Sequence, residues 1–299
     1  MFRGTFTALV TPFQSDGTLD EAALVGLVER QIESGIDGLV FFGTTGEEAS
    51  LTLDERRRTI ELVQKQAEGH IFVVAGAFDN VTERAVTLAR EMDWLGVDAI
   101  LSVVPYYTRP NQAGIIEHFR RIADAVDTPV ILSNAPGRVA TGLEAESVAI
   151  LSEHANIRGL DESSGDLDFL SSVLAATDAD FGVFSGEDTL TLPMLALGAD
   201  GAFSLVSNEV PEKMSKLVEA SLEGKVTEAR ELHYELFDLM TVNYVDTNPI
   251  PVKAALVMMG LIEEHYRLPL VPLDDDGREA VRKALADLDL LKTPSGEPS

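Results

Sequence analysis

Hydroxyl and guanidinium side chains follow several apolar runs of this sequence, and their types suit the binding of a small carboxylate. Residues 43–47 (GTTGE) place Thr44 and Thr45 between Gly43 and a second glycine. Backbone N–H groups can therefore approach an anion closely, while the hydroxyls donate or relay a proton. Arg138 lies just beyond a tight-turn sequence and suits a bidentate grip on a carboxylate. In so acidic a chain, a surface ion pair explains the same arginine equally well.

Other segments of the same kind carry groups that accept or transfer protons. Residues 105–110 (PYYTRP) include Tyr107, whose phenol can shuttle a proton or cap a core with its ring. Residues 133–138 (SNAPGR) begin with Ser133, and residues 159–165 (GLDESSG) include Asp161. Residues 185–188 (SGED) include Gly186, and Leu205 lies within the last of the apolar runs, residues 201–208.

Metal binding is a further possibility, because carboxylates follow several of these runs and could converge on a hard cation. The histidines form no pair at the spacing of a helical metal site such as His-Glu-x-x-His. We therefore expect no metal ion and no other cofactor. The carboxylates in question are Glu47, Glu48, Asp161, Glu162, Glu187 and Asp188.

Eight apolar runs rich in β-branched residues alternate with amphipathic helical stretches, such as residues 82–92 and 147–152. Continuous apolar runs are typical of parallel strands, which are covered on both faces. Eight such units predict an α/β protein of the (β/α)₈ TIM-barrel class, whose chemistry sits at the carboxyl ends of the strands. The predicted strands are residues 4–13, 38–43, 71–76, 99–105, 129–134, 157–163, 181–187 and 201–208.

The pattern changes to helices alone after about residue 222. Residues 223–244, 249–259 and 276–291 have helical spacing and are separated by proline-containing segments. The sequence therefore predicts a barrel over residues 1–222 and a helical extension of the same domain over residues 223–299. The polar tail, residues 292–299, is expected to be frayed.

Composition excludes several classes of function. The 299 residues include 50 acidic and 23 basic side chains, for a formal charge of −27, which disfavours nucleic acid and anionic membranes. No apolar stretch of about 18 residues predicts a membrane span, and the first residues lack the layout of a signal peptide. We expect a cytoplasmic protein. Adaptation to high salt is one explanation of the charge, and an ordinary acidic surface is the other.

With these motifs in place, the sequence resembles the dihydrodipicolinate synthase / N-acetylneuraminate lyase family over nearly its whole length. The resemblance rests on residues 43–47, 105–107, 134–138 and 185–186. Residues 248–253 (NPIPVK) and 267–270 (RLPL) look more like the synthase branch. The resemblance implies a TIM barrel with a C-terminal helical extension, acting as a carbon–carbon lyase of the aldolase type. It also implies a homotetramer of two tight dimers.

The resemblance assigns roles to residues that match the family motifs. Thr44 and Thr45, with Gly43, would cradle a carboxylate. Arg138 would clamp the carboxylate of a second substrate. Tyr107 would complete a proton relay across the tight dimer. Gly186 would allow close approach of the backbone, and Leu205 would help to line the pocket.

Two positions depart from the family pattern. A lysine at the end of the sixth strand forms a Schiff base with pyruvate in this family, and here Asp161 occupies that position. A carboxylate cannot condense with a ketone, because only an amine forms an imine. The family's proton-moving tyrosine at the end of strand five is replaced by Ser133. Neither Lys213 nor Lys253 is an obvious substitute for the missing amine.

Three functions follow from these residues. The first is a homologue that binds a small 2-oxo acid or related carboxylate without Schiff-base turnover. The second is an enzyme with altered chemistry, in which a desolvated Asp161 acts as general base or ligates a metal ion. The third is residual 4-hydroxy-tetrahydrodipicolinate synthase activity. A structural partner of an active paralogue in a mixed tetramer is a further alternative.

Overall fold

A computed structural model of the chain describes residues 2–67 and 69–291. Within these residues, eight parallel strands close into a barrel in the order of the sequence. The predicted TIM barrel is confirmed. The strands are β1 (Gly4–Ala8), β2 (Gly38–Phe41), β3 (Phe72–Gly76), β4 (Ala99–Val103), β5 (Val130–Asn134), β6 (Ile157–Glu162), β7 (Gly182–Ser185) and β8 (Gly201–Ser204).

Helices surround the barrel and continue beyond it. Acidic or amide side chains cap the amino ends of several helices, for example Asp20 at the first and Asn111 at the fourth. The helices are α1 (Glu21–Glu33), α2 (Leu53–Ala67), α3 (Thr82–Trp94), α4 (Gln112–Ala123), α5 (Pro136–Val139), α6 (Ala145–Ser152), α7 (Leu167–Ala176), α8 (Thr191–Leu197), α9 (Pro211–Leu222), α10 (Val226–Val242), α11 (Ile250–Met258) and α12 (Asp275–Asp287).

Every predicted strand contains an observed strand, but most predicted strands extend too far at the carboxyl end. The first observed strand ends at Ala8, although the apolar run continues through Leu9 and Val10 to Phe13, all of them buried. These residues pack into the core beneath the surrounding helices. The eighth strand ends at Ser204, and Val206–Asn208 forms a 3₁₀ turn. The apolar runs therefore identify buried residues correctly, but buried residues continue beyond the last residue that pairs with a neighbouring strand.

An aromatic cluster fills the interior of the barrel below its carboxyl end. Phe184 stacks on Phe203 with ring centroids 4.8 Å apart and meets Phe6 edge to face at 5.5 Å. All three rings are buried. Side chains of this size fill a barrel of eight strands completely, so the interior is packed and the space for a ligand lies above it.

The helices after the barrel fold back over its carboxyl end. The α11 helix carries Lys253, which is 1% exposed and bonds to the Thr11 carbonyl at 3.1 Å and to the Glu47 carboxylate at 2.5 Å. The predicted frayed tail, residues 292–299, lies outside the described residues. No helix in the described part of the chain is long and apolar enough to cross a membrane.

We predict that Phe184→Ala lowers the free energy of unfolding by about 3–5 kcal/mol, because it leaves a cavity inside the closed barrel. Phe72→Ala is the matched control, since that ring is 39% exposed at the opposite end of the barrel, and we expect it to be less destabilising. Chemical denaturation measures both variants. Equal losses would contradict the assignment of the aromatic cluster as the packed interior.

Candidate functional site

A cavity of about 310 Å³ opens at the carboxyl ends of the strands, above the aromatic cluster. This is the face on which barrels of this class carry their chemistry. The cavity, hereafter the pocket, has a mixed lining of apolar, hydroxyl and charged side chains. The lining residues are Ala8, Val40, Gly43, Thr44, Thr45, Phe78, Leu101, Ser133, Ala135, Gly137, Arg138, Asp161, Ser163, Gly186, Glu187, Phe203, Leu205, Tyr244 and Asn248.

The turn after β2 offers hydrogen-bond donors to the pocket. The backbone N–H groups of Thr44 and Thr45 have no acceptor among the described residues. The Thr45 hydroxyl accepts a hydrogen bond from Nδ2 of Asn248 at 3.0 Å, so its own proton is free to be donated. Two free amides beside a free hydroxyl form a cradle suited to a carboxylate.

A buried ion pair anchors this turn from behind. Glu47 has a left-handed backbone conformation, with φ of 53°, and its side chain pairs with Lys253. The Lys253 ammonium also lies 4.7 Å from the ring centre of Phe13 and 5.1 Å from that of Tyr266. Burial lowers the pKa of Lys253, and the Glu47 carboxylate opposes this effect. The amine is thus held in the protein core by Glu47 and does not line the pocket.

Asp161 and Ser133 lie side by side at the floor of the pocket. The two residues are direct neighbours in the pairing of β5 with β6. The Ser133 hydroxyl donates to Oδ2 of Asp161 at 2.8 Å, and the Ser163 hydroxyl lies 3.3 Å from Oδ1. Asp161 is 8% exposed and Ser133 is 4% exposed. The short serine therefore meets the carboxyl at the place where the resemblance expects a tyrosine beside a lysine.

Burial raises the pKa of Asp161 to about 7, with the neighbouring Glu162 adding to the shift. Hydrogen bonds from Ser133 and Ser163 act in the opposite direction, because they stabilise the ionised form. Glu162 faces away into its own network, where it accepts from Nδ2 of Asn134 at 2.7 Å. Near neutral pH, the floor of the pocket consequently exchanges between a carboxylate and a neutral carboxylic acid.

Gly186 leaves room for the Asp161 and Ser163 side chains. A β-carbon at this position would lie 1.9 Å from the Ser163 hydroxyl oxygen and 2.3 Å from Oδ1 of Asp161. The Gly186 N–H already donates to the carbonyl of Glu162 at 2.9 Å. The sequence analysis expected close backbone approach at Gly186, and the groups that approach it here are side chains of the protein itself.

Arg138, Glu187 and Tyr244 form the rim of the pocket. Arg138 is exposed, and its guanidinium takes part in none of the ion pairs among the described residues. The Glu187 carboxylate accepts a hydrogen bond from the Thr189 hydroxyl at 3.3 Å, and Tyr244 lines the same opening. Burial raises the pKa of both Glu187 and Tyr244. A cation without a partner and an anion thus stand at the same opening.

The pocket brings together most of the residues that the sequence indicated, namely Gly43, Thr44, Thr45, Ser133, Arg138, Asp161, Gly186 and Leu205. Tyr107 does not line it. Its side chain is 89% exposed and its backbone has φ of 69°. A role for Tyr107 across a dimer, and the tetramer itself, stay predictions.

The sequence analysis missed Glu187, Tyr244 and Asn248 as pocket residues. Glu187 was considered only as a metal ligand, and Asn248 only as part of the NPIPVK motif. Tyr244 follows the end of α10, and no local pattern in the sequence places it over the barrel. The pocket is therefore completed by the C-terminal extension.

The carboxylates that could have converged on a hard cation do not gather into one metal-binding cluster among the described residues. Glu47 is bound to Lys253, while Oδ2 of Asp188 accepts from the backbone N–H groups of Leu205 and Val206. Residues 2–67 and 69–291 contain no group of three or more histidine or acidic side chains that could hold a metal ion. Glu47 and Asp188 are thus bound by different neighbouring groups.

Known proteins similar to this chain share one family. The model of the dihydrodipicolinate synthetase family matches residues 1–288. The 4-hydroxy-tetrahydrodipicolinate synthase of Koribacter versatilis is 46% identical over 291 residues, which cover 97% of each protein. The crystal structure of dihydrodipicolinate synthase from Aquifex aeolicus is 41% identical, with a TM-score of 0.95, covering 98% of this chain and 100% of that chain. The crystal structure of dihydrodipicolinate synthase from Acinetobacter baumannii, complexed with pyruvate, is 36% identical. Its TM-score is 0.95, and the match covers 97% of this chain and 100% of that chain.

We predict that Asp161→Asn stabilises the protein more at high pH than at low pH. The pKa of Asp161 in the folded chain is raised to about 7 from an ordinary 3.8. Native stability is therefore full below about pH 4 and declines between about pH 4 and pH 7, because there the unfolded chain has lost a proton that the folded chain still holds. The stability advantage of the variant should grow between about pH 4 and pH 7, by at most about 4 kcal/mol, and stay constant from there to about pH 9. Thermal and chemical denaturation across this range measure it.

Asp178→Asn is the control, because this exposed carboxylate has no side-chain partner among the described residues. Its effect on stability should be independent of pH over the same range. If Asp161→Asn behaved in the same way, the buried carboxyl would not titrate near neutrality.

Proposed function

The chain belongs to the dihydrodipicolinate synthetase family, and from this premise we propose that it binds a small 2-oxo acid in the pocket without forming a Schiff base. The observation that carries the proposal is the hydrogen bond of 2.8 Å between Ser133 and Asp161 at the pocket floor. These residues stand where the resemblance expects the tyrosine and lysine of covalent catalysis. A carboxyl group cannot form an imine with a ketone.

Recognition of the carboxylate is supported by the groups that remain. The backbone amides of Thr44 and Thr45 and the guanidinium of Arg138 line one pocket, and residues 2–67 and 69–291 offer no hydrogen-bond acceptor to these amides and no ion-pair partner to this guanidinium. Hydrogen bonds from a cation or from oriented amides to a carboxylate are among the stronger ones in proteins. The solved A. baumannii relative is complexed with pyruvate, and a 2-oxo acid of this type fits the donors available here.

The absence of an amine from the lining supports the non-covalent reading. None of the described pocket residues is a lysine. Lys253 pairs with Glu47 in the core, and Lys213 pairs with Glu235 on the surface at 2.6 Å. A lysine that is held by a carboxylate must lose that partner and its proton before it can attack a ketone.

Asp161 would take a different role toward the ligand. In its neutral form it can donate a hydrogen bond to the keto oxygen of a bound 2-oxo acid, while Ser133 keeps the other oxygen in place. Its pKa of about 7 makes the neutral form abundant at ordinary pH. This arrangement binds the keto group without a bond between carbon and nitrogen.

We predict that treatment with pyruvate and borohydride leaves the intact mass of the protein unchanged, while pyruvate still raises its melting temperature. Arg138→Gln should weaken pyruvate binding by about tenfold or more, since a hydrogen bond to a charged group contributes about 1.5–3 kcal/mol. Arg120→Gln, which changes an exposed arginine on α4, is the control and should bind normally. A single reduced pyruvate adduct on the unmodified chain would overturn the proposal.

A second candidate is proton transfer at the carbon next to the keto group, and the near-neutral pKa of Asp161 favours it. In this step the C3–H bond of the 2-oxo acid breaks, its proton moves to Asp161, and its electrons form an enolate. A group that titrates near the working pH is best suited to accept and return such a proton.

We predict that the protein accelerates exchange of the methyl protons of pyruvate with deuterium oxide, as followed by proton NMR. Asp161→Asn should remove the acceleration, by about a hundredfold or more if Asp161 is the general base. Asp178→Asn serves again as the control. Exchange at the uncatalysed rate, in protein that demonstrably binds pyruvate, would leave only the binding function.

A further inference from the structure

A second cavity, of about 470 Å³, opens at the amino ends of the strands, on the face of the barrel opposite the pocket. This cavity, hereafter the amino-end cleft, lies between the start of β1, the turn before β2 and the helix α9. Neither the binding of a 2-oxo acid nor proton transfer at its third carbon uses it. The lining residues that matter for its chemistry are Arg3, Thr5, Asp37, Val218, Glu219 and Leu222.

Thr5 and Asp37 form one wall of the cleft and are fixed to each other. The Thr5 N–H donates to Oδ2 of Asp37 at 2.8 Å, and the Asp37 N–H donates to the Thr5 carbonyl at 3.0 Å. Gly4 makes this arrangement possible, because a β-carbon at that position would lie 2.0 Å from Oδ2 of Asp37. The carboxylate is therefore held in one place at the cleft, so little ordering is needed when a ligand binds.

The Thr5 side chain indicates that the cleft accepts a polar group. Thr5 is 1% exposed, and its hydroxyl oxygen has no hydrogen-bond partner among the described residues. Buried hydroxyl groups are normally paired, because an unpaired one loses its bonds to water without replacement. A ligand group that bonds to this oxygen from within the cleft would supply the partner.

Carboxylates dominate the charge of the cleft. Asp37 and Glu219 take part in none of the ion pairs in the part of the chain that the structure describes, and the same holds for the exposed Arg3. Glu223 also lines the cleft, and it pairs with Lys225 at 2.6 Å. In a chain of formal charge −27, such a cleft attracts a cation more readily than an anion.

An alkylammonium ion matches both the polar and the apolar parts of the cleft. An ammonium group has three donors and no acceptor, and Thr5, Asp37 and Glu219 offer oxygens that accept. Val218 and Leu222 add an apolar side, against which a short hydrocarbon chain can pack. A bare metal ion would use the acidic side alone, so the apolar side favours an organic cation.

We propose that the amino-end cleft is a binding site for a protonated primary alkylamine. The ammonium group lies among Thr5, Asp37 and Glu219, and the hydrocarbon chain packs against Val218 and Leu222. Binding is reversible, and no covalent bond forms or breaks. The site goes beyond the proposed function, because it lies at the other end of the barrel and uses none of the residues that line the pocket.

The test measures the binding of n-pentylamine to the full chain at pH 7 by calorimetry. Pentanoate is the probe of the same chain length and opposite charge, and methylamine is the cation that lacks the chain. Pentylamine should bind at one molecule per chain and about tenfold or more tightly than either comparison probe, since it alone satisfies both sides of the cleft.

Variants locate the site. Asp37→Asn and Glu219→Gln should each weaken pentylamine binding by about fivefold or more, because each removes a charged acceptor. The first variant keeps an oxygen that can accept from the Thr5 N–H, so the fold should persist. Arg3→Gln should bind at least as tightly as the unmodified chain, since it removes a like charge. Asp178→Asn is the control, because it makes the same change of charge at an exposed position outside the cleft.

Three outcomes would overturn the proposal. The first is no binding of pentylamine by the folded protein. The second is binding that does not saturate at one molecule per chain, or that Asp178→Asn weakens as much as Asp37→Asn does, since the acidic surface as a whole would then attract the amine. The third concerns norvaline, a five-carbon amine that also carries a carboxylate. If norvaline binds more tightly than pentylamine and Arg3→Gln abolishes that gain, the cleft recognises an amino acid instead of a simple amine.

Discussion

The buried ion pair between Glu47 and Lys253 is the interaction on which the pocket depends, because it joins the turn after β2 to the C-terminal helix α11. Two charges removed from water are stable only when geometry and additional contacts compensate for their desolvation. Here the Thr11 carbonyl and the ring of Phe13 supply those contacts. With α11 fixed, Asn248 reaches the Thr45 hydroxyl, and the extension becomes one wall of the pocket.

The floor of the pocket is a second unit, in which the size of each side chain fits the space left by its neighbour. Asp161 is long enough to approach Gly186, so any side chain at Gly186 would collide with it. Ser133 is short enough to leave room for the carboxyl and still donate to it at 2.8 Å. Hydroxyl donors thus meet both oxygens of the Asp161 carboxylate. The floor is thus a coherent hydrogen-bonded arrangement that does not require an amine.

The fold and most of the pocket could be predicted from the sequence because both are encoded locally. Continuous apolar runs indicated buried parallel strands, and the polar residues at their ends, such as Thr44 and Asp161, necessarily meet at one face of a closed barrel. Most predicted strands extend too far at the carboxyl end, because residues beyond the last paired position are still buried. Tyr244 and Asn248 could not be assigned, since their positions depend on how the extension folds over the barrel. Whether the carboxylates converge could not be decided from the sequence, which does not reveal that Glu47 is paired with Lys253.

If the pocket binds a carboxylate as proposed, that binding and the protonation of Asp161 are linked. A ligand carboxylate near the floor would make a second negative charge there less favourable, so binding would raise the pKa of Asp161 further. By the same linkage, protonation of Asp161 strengthens the binding of the anion. The unpaired guanidinium of Arg138 at the rim attracts the ligand in both states. In the proposed function, Arg138 at the rim would therefore attract the ligand at every pH, while ionisation of Asp161 at the floor would lower the affinity as the pH rises.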